Sequence, residues 1–263
     1  MSPQPSLAKR LIVGTLDRVW PSAMLELYLR TRSSHCEPEL WLVPSLLKSG
    51  GTALDIGANM GLWSRQLHRY ADVVHAFEPN PICLRQLHRV LPLNAVLHAV
   101  ALSDREGIAH LRFDPENTGI GTIEARNTLA QNAGVAVVRE AEVPTRTLDS
   151  LGLTGVAFIK IDVEGHEEAV LAGGENLLTS DKPSIVCEIE ERHNAGGLDR
   201  VRAGLARLGY RALALHGGKP TAFETLAREP GVRLAVAGGI NNFIFVHPDR
   251  LTGFGADIAG ALS

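Results

Sequence analysis

Five acidic side chains and one histidine stand where this chain could do chemistry. Asp55, Glu78, Asp162, Glu164 and Glu188 each lie at or just beyond the end of a short apolar run, and His166 follows Glu164 by two positions. Carboxylates at the tips of buried strands can pair with a cationic ligand, accept hydrogen bonds from a diol, or take the proton of a hydroxyl that is becoming a nucleophile. Asp162, Glu164 and Glu188 together could also hold a divalent ion, although their spacing is not a recognised ligand pattern. His166, with an ordinary pKa of ~6.5, is a candidate general base, and His193 is a weaker one. Each has a plainer alternative. Glu78 and the acids around His166 also suit the first turn of a helix, where the helix dipole favours negative charge whatever the function.

The surroundings of Asp55 narrow the chemistry. Leu54 and Ile56 belong to an apolar run of the kind a buried parallel strand needs. Gly57-Ala58-Asn59-Met60-Gly61 is a glycine turn, and Leu62 to Tyr70 follows with helical spacing. Strand, glycine turn and helix make the first unit of a nucleotide-binding βαβ fold, whose backbone N–H groups suit an anionic group. A dinucleotide G-x-G-x-x-G pattern would need glycine where Asn59 stands. Glu78, 21 residues after Gly57, is placed to accept both hydroxyls of a ribose. Nicotinamide folds also carry an acid about 20 residues on, so that spacing alone does not discriminate.

The elements that must position these groups alternate along the chain. Strands are predicted at 52–56, 72–77, 94–101, 156–162, 183–190, 210–215 and 241–246, with the last antiparallel to its neighbour. Helical spacing fills most of the gaps, with Asn80 as an N-cap and Pro81 at the first helical position. This predicts an α/β fold: a doubly wound, mostly parallel seven-stranded sheet with helices on both faces. Residues 108–113 and 135–143 read as an antiparallel excursion, and the loop Asn117–Thr122 within it is a candidate acceptor wall. Three regions are expected: an N-terminal helical cap or lid over 1–48, the main domain over 49–250, and a C-terminal tail over 251–263. Within the cap, helices over 7–30 broken at Pro21 and a further helix over 39–48 are predicted.

Composition excludes several classes. With 263 residues and a net charge of −3, the chain shows no basic surplus that would suggest nucleic acid as a partner. Cys36, Cys83 and Cys187 lie far apart with no C-x-x-C pair, so neither a disulfide framework nor a zinc site is suggested, and a reducing cytoplasm fits. No apolar run approaches the ~20 residues of a membrane span. The run Leu7–Val13 is too short for a secretory signal. The apolar face it shares with Leu16, Val19 and Trp20 suits a helix packed on the domain better than one lying on a membrane.

Taken together, Asp55-Ile-Gly-Ala-Asn-Met-Gly61, Glu78-Pro-Asn-Pro81, Phe158-Ile-Lys-Ile-Asp-Val-Glu-Gly-His-Glu167, Val170-Leu-Ala-Gly-Gly174 and Pro183–Glu188 resemble the FkbM family of S-adenosylmethionine (SAM) dependent methyltransferases. The resemblance runs from about residue 50 to 190, with an echo in Asn242-Phe-Ile-Phe245. It implies a class I Rossmann-like fold and SAM contacts at Asp55, Gly57, Asn59, Gly61 and Glu78; Ala58, Asn80, Ala101 and Asp162, at the same turn and strand ends, are further expected cofactor contacts. It implies methyl transfer to a hydroxyl of a sugar, glycolipid or natural product, with Asp162, Glu164, His166 and Glu188 around that hydroxyl. The expected partner is a small-molecule or glycan acceptor, and a homodimer is a candidate assembly. A divalent metal at Asp162, Glu164 and Glu188 stays an open alternative. So do a nicotinamide-dependent oxidoreductase and a non-catalytic SAM-fold partner subunit.

Overall fold

The computed structural model describes residues 21–32, 36–47, 50–117, 119–127, 129 and 137–262. The helix expected over 7–20, the linker at 33–35, the end of the helix at 48 and the start of a strand at 135 lie outside the described residues.

The frame is a sheet of β1 (Thr52–Ile56), β2 (Val73–Phe77), β3 (Ala95–His98), β8 (Val156–Ile161), β9 (Ser184–Glu188), β10 (Arg211–His216), β11 (Lys219–Ala222) and β12 (Asn242–Val246). Their order across the sheet is β11-β10-β12-β9-β8-β1-β2-β3. From β9 to β3 all pairings are parallel, whereas β12 pairs antiparallel with both β9 and β10. This is the predicted seven-stranded, doubly wound sheet with one strand added at its edge. The addition is a hairpin: His216 pairs with Lys219 across Gly217 and Gly218, which have φ of +56° and +76°. Two positive φ values in a two-residue loop match the twist of paired strands, and Gly-Gly is the pair that adopts them without strain.

All six residues of β8 are buried, as a central strand covered on both faces must be. Side chains alternate between the faces. Ile159 and Ile161, with Leu54 and Ile56, pack beneath α5 (Glu167–Ala172), α6 (Glu175–Asp181) and α7 (Gly197–Arg207). Phe158, with Ala53, Val74 and Val186, packs the other way, against residues 40–47, Trp63 of α3 (Leu62–Leu67) and Ile258 of α9 (Ala256–Leu262). Lys160 therefore shares a face with Phe158, and the next residue on that face is Asp162. The same alternation puts Asp55 with Ala53 and Glu188 with Val186.

Helix α1 (Pro21–Thr31) starts at Pro21, the predicted break, whose missing N–H is not needed in a first turn, and it packs against α3 and α4 (Pro81–Val90). Three elements differ from those predicted. The helix expected from residue 39 is instead a 3₁₀ turn, Pro38–Leu42, and a single α turn, α2 (Val43–Leu46), each with a proline in its first two positions. The strand expected over 94–101 divides. β3 ends at His98, and β4 (Ala101–Leu102) joins a second sheet with β7 (Arg139–Arg146), β5 (Gly107–Phe113) and β6 (Gly121–Thr122). That second sheet is the antiparallel excursion. The C-terminal residues are not a tail: a 3₁₀ segment, Pro248–Gly253, leads into α9, and Phe254 and Ile258 are buried in the core. The last short helix, α8 (Phe223–Leu226), closes the edge hairpin. Among the described residues no helix is long and apolar enough to cross a bilayer.

Candidate active site

The turn after β1 is built against β8. Gly57 has φ of +81°, and a Cβ there would lie 1.9 Å from the carbonyl oxygen of Asp162. Its N–H and that of Ala58 both donate to Phe77 O, at 2.9 and 3.0 Å, tying the turn to β2. Asn59 also takes a left-handed φ, +47°, which asparagine tolerates better than most residues. Gly61, at φ +87°, precedes α3 and faces the side chains of Leu87 and Val90.

Glu78 crosses from the tip of β2 to this turn. One carboxylate oxygen accepts the N–H of Asn59 at 2.8 Å, and the other accepts the N–H of Asn80 at 2.7 Å. Asn80 caps α4, its Oδ1 accepting from Ile82 N at 3.0 Å, with Pro81 in the first helical position as predicted. Burial drives the Glu78 carboxyl up to about 7; the two amide bonds oppose this, and the charges of Asp55 and Asp162 add to it.

A cleft opens at the carboxyl ends of β1, β2 and β8. Eight of the predicted residues line it: Gly57, Asn59, Glu78, Asn80, Ala101, Asp162, Glu164 and His166. Phe77, Val100, Leu102, Leu111 and Ile123 give it an apolar flank, and Gly119 and Gly121 bring the Asn117–Thr122 loop to its rim. Four predicted residues do not line it. Asp55 lies beneath the turn, accepting from Ser64 Oγ at 2.5 Å, and burial raises its pKa to about 6. Ala58 is buried with Leu25, Ala76, Leu87 and Val90. Gly61 faces α4, and Glu188 stands one strand further along.

Asp162 and Glu188 meet a residue absent from the sequence expectation. Glu37, just before the 3₁₀ turn, brings a carboxylate oxygen to within 4.8 Å of one from each of them. Such a trio has the oxygen ligands of a hard cation. A cation already stands there, because Lys160 Nζ donates to Glu37 Oε2 at 3.2 Å and to Asn242 Oδ1 at 3.1 Å. Glu37 also accepts from Trp63 Nε1 at 3.1 Å, and Glu188 accepts from Asn241 Nδ2 at 2.7 Å. Burial raises the pKa of both Asp162 and Glu188; Lys160 pulls both down, Glu164 and Glu37 push both up, and Asp162 pushes Glu188 further up. Glu164, the third metal candidate from the sequence, turns elsewhere. Its Oε2 lies 3.0 Å from His193 Nδ1.

The loop from Val163 to His166 is clamped on both sides. Glu164 holds a left-handed φ of +54°, unusual for a side-chain-bearing residue. Its carbonyl accepts from Thr122 Oγ1 at 2.9 Å and from Asn127 Nδ2 at 2.8 Å, and the Gly165 carbonyl accepts from Asn194 Nδ2 at 3.0 Å. His166 points to the second sheet: Nε2 is 2.9 Å from Ser103 Oγ, and Nδ1 is 3.3 Å from Glu124 Oε2. Burial lowers the His166 pKa, with Glu124 opposing. Thr122→Val removes the hydroxyl while keeping the shape, so it should cost about 1–2 kcal/mol in urea unfolding. An unchanged midpoint would mean that the clamp holds nothing.

Sequence reasoning did not identify Glu37, Lys160, Ser103, Glu124 or Asn242 as part of this neighbourhood. Only Lys160 carried a signal, as a charge inside an otherwise apolar strand.

Comparison with known proteins gives a consistent picture. Residues 55–212 match the family model described as methyltransferase FkbM domain. The chain is 30% identical to the 31-O-demethyl-FK506 methyltransferase FkbM of Streptomyces tacrolimicus, over 64% of its own length and 75% of the relative's. It is 32% identical to the 2-O-methyltransferase NoeI of Sinorhizobium fredii, over 59% and 70% respectively. A crystal structure of methyltransferase FkbM from Methylobacillus flagellatus superposes with a TM-score of 0.49 at 16% identity, covering 74% of this chain and 43% of that one. The strand order, and not this superposition, is what identifies the fold.

Proposed function

The chain belongs to the methyltransferase FkbM family, and from that premise we propose that it is a SAM-dependent O-methyltransferase acting on a sugar, glycolipid or natural-product hydroxyl. The observation that carries this reading is that Glu78 and Asp162 open on one cleft, beside a turn that a Cβ at Gly57 would obstruct. The cleft has the features SAM requires. Glu78 would accept the ribose hydroxyls, the apolar flank would take the adenine, and Asp162 would face the cationic end. When bound, SAM supplies an electrophilic methyl group on a sulfonium.

The chain's part is to bring up the acceptor and remove its proton. In this reading Asp162 takes that proton on a carboxylate oxygen as the hydroxyl attacks. Glu188 stands outside the cleft, beside Asp162 and Glu37 and held by Asn241, and would act on Asp162 and not on the acceptor. Glu164 and His193 would form the acceptor's far wall. His166, engaged at both ring nitrogens, keeps the loop in register. No step runs through a metal, because Lys160 already places positive charge in the carboxylate cluster. The O-methylation in the names of the two relatives supports a hydroxyl acceptor. A cytoplasmic setting is part of this reading, and it rests on the wide spacing of Cys36, Cys83 and Cys187 in the sequence.

Isothermal titration should show SAM binding by the wild type. With labelled SAM and cell extract as the acceptor source, Asp162→Asn should lower methyl transfer by at least about 100-fold, the range for a general base, and weaken SAM binding far less. His166→Ala should retain most of the activity. Equal transfer by Asp162→Asn and wild type would remove Asp162 from the reaction.

A further inference from the structure

Lys160 is buried to 1% exposure inside a strand whose other residues are apolar. Removing an ammonium from water costs several kcal/mol, so its surroundings must compensate. They do so from four directions. Glu37 and Asn242 accept its protons, the Trp63 ring centroid lies 5.2 Å from Nζ, and Asp55 is its register partner on β1. Asp162, two residues along the same face, and Glu188 on β9 complete the set. Burial disfavours the Lys160 charge, yet Glu37, Asp162 and Glu188 together raise its pKa, so it stays an ammonium throughout the ordinary pH range.

We propose that Lys160, seated by Glu37 and Asn242, is a positioning residue that holds Asp162 ionised toward the cleft. The inference rests on the cleft being the SAM site. Asp162 interacts with Lys160 on its own strand, Glu164 in the following loop, Glu167 of α5, Asp55 on β1, Glu78 at the tip of β2, Glu188 on β9 and Glu37 from the N-terminal segment. Of these only Lys160 favours its charged form. Glu78 titrates in the same range, and the comparison with S-adenosylhomocysteine separates its effect, since both ligands carry the ribose. Glu37 has two opposed effects: it anchors the ammonium, and its own charge makes Asp162 and Glu188 harder to ionise. A cation fixed by Glu37 and Asn242 on the same strand face as the base is electrostatic preorganisation supplied by the fold.

These opposed effects give the test. SAM and S-adenosylhomocysteine, which lacks the sulfonium charge, are titrated calorimetrically into wild type, Lys160→Met and Glu37→Gln from pH 5.5 to 9. Wild-type affinity for SAM should fall as acid protonates Asp162, and affinity for S-adenosylhomocysteine should fall less. Lys160→Met should move that fall to higher pH by about one unit, and Glu37→Gln should move it lower. A merely structural role would move both variants the same way or neither. If Lys160→Met does not fold, Lys160→Gln, which keeps a polar head for Glu37 and Asn242 without the charge, takes its place: an upward shift supports the proposal, and an unmoved midpoint overturns it. Failure of the wild type to bind SAM would overturn the site itself, and the inference with it. Normal binding with unshifted midpoints would overturn only the inference.

Discussion

Glu78→Gln is expected to weaken SAM binding about 10- to 100-fold, the worth of one or two hydrogen bonds to a charged acceptor. In the same variant the unfolding free energy should improve relative to wild type as pH rises from 5 to 8. The sign follows from linkage. The folded carboxyl titrates at about 7 and the ordinary glutamate value is 4.5, so the folded state holds the extra proton between them. Stability contributed by this group is therefore full below about 4.5 and is lost as pH rises toward 7. Glutamine has no charge to bury and does not suffer that loss. The gain relative to wild type should reach about 2–3 kcal/mol across the window. Histidines whose pKa is lowered by burial, such as His75 and His98, push stability the other way, and they are common to both proteins. The pair of proteins thus isolates Glu78. Urea unfolding at several pH values, with calorimetry for SAM, would check both halves; a pH-independent difference in stability would show that Glu78 is not held in a desolvated place.

Gly57→Ala should be more damaging still. An added Cβ would overlap the backbone carbonyl of Asp162, and a left-handed alanine costs roughly 1–2 kcal/mol by itself. Backbone cannot swing aside as a side-chain end can, so the tips of β1 and β8 must separate. A loss of at least about 3 kcal/mol is expected, with no measurable SAM affinity, because the same movement displaces both Glu78's amide partner and Asp162. Gly61→Ala is the control. Its Cβ would meet Val90 Cγ2 at 3.0 Å and Leu87 Cδ2 at 3.1 Å, the flexible ends of side chains. Thermal melts should show Gly61→Ala well above Gly57→Ala. Equal melting points would mean that the contact with Asp162 is not what demands glycine.

Much of this was legible in the residues. Largely apolar runs, interrupted by Asp55 and Lys160, locate β1 and β8, and Asn80-Pro81 announces the start of α4, because buried parallel strands and helix caps have local chemical requirements. The cleft lies at the strand tips, so Gly57, Asn59, Glu78 and Asp162, expected there from the sequence, line it. What stayed hidden depends on meetings between distant segments. Glu37 lies more than 120 positions before Lys160, and no local pattern says that the two will touch. His166 was expected beside the acceptor, yet its ring turns to Ser103 and Glu124, a choice made by the second sheet. Gly217-Gly218 was a readable hairpin signal that adds the edge strand.

Lys160 lies within residues 55–212, but both side chains that accept its protons, Glu37 and Asn242, come from outside that span. A protein trimmed to residues 55–212 would keep the Gly57 turn and Glu78, and its buried ammonium would keep the charges of Asp162 and Glu188 but lose both side chains that accept its protons. On the proposed reading, changes in the flanks at Glu37 or Asn242 would retune the carboxylate cluster around Asp162 while the glycine turn stays as it is.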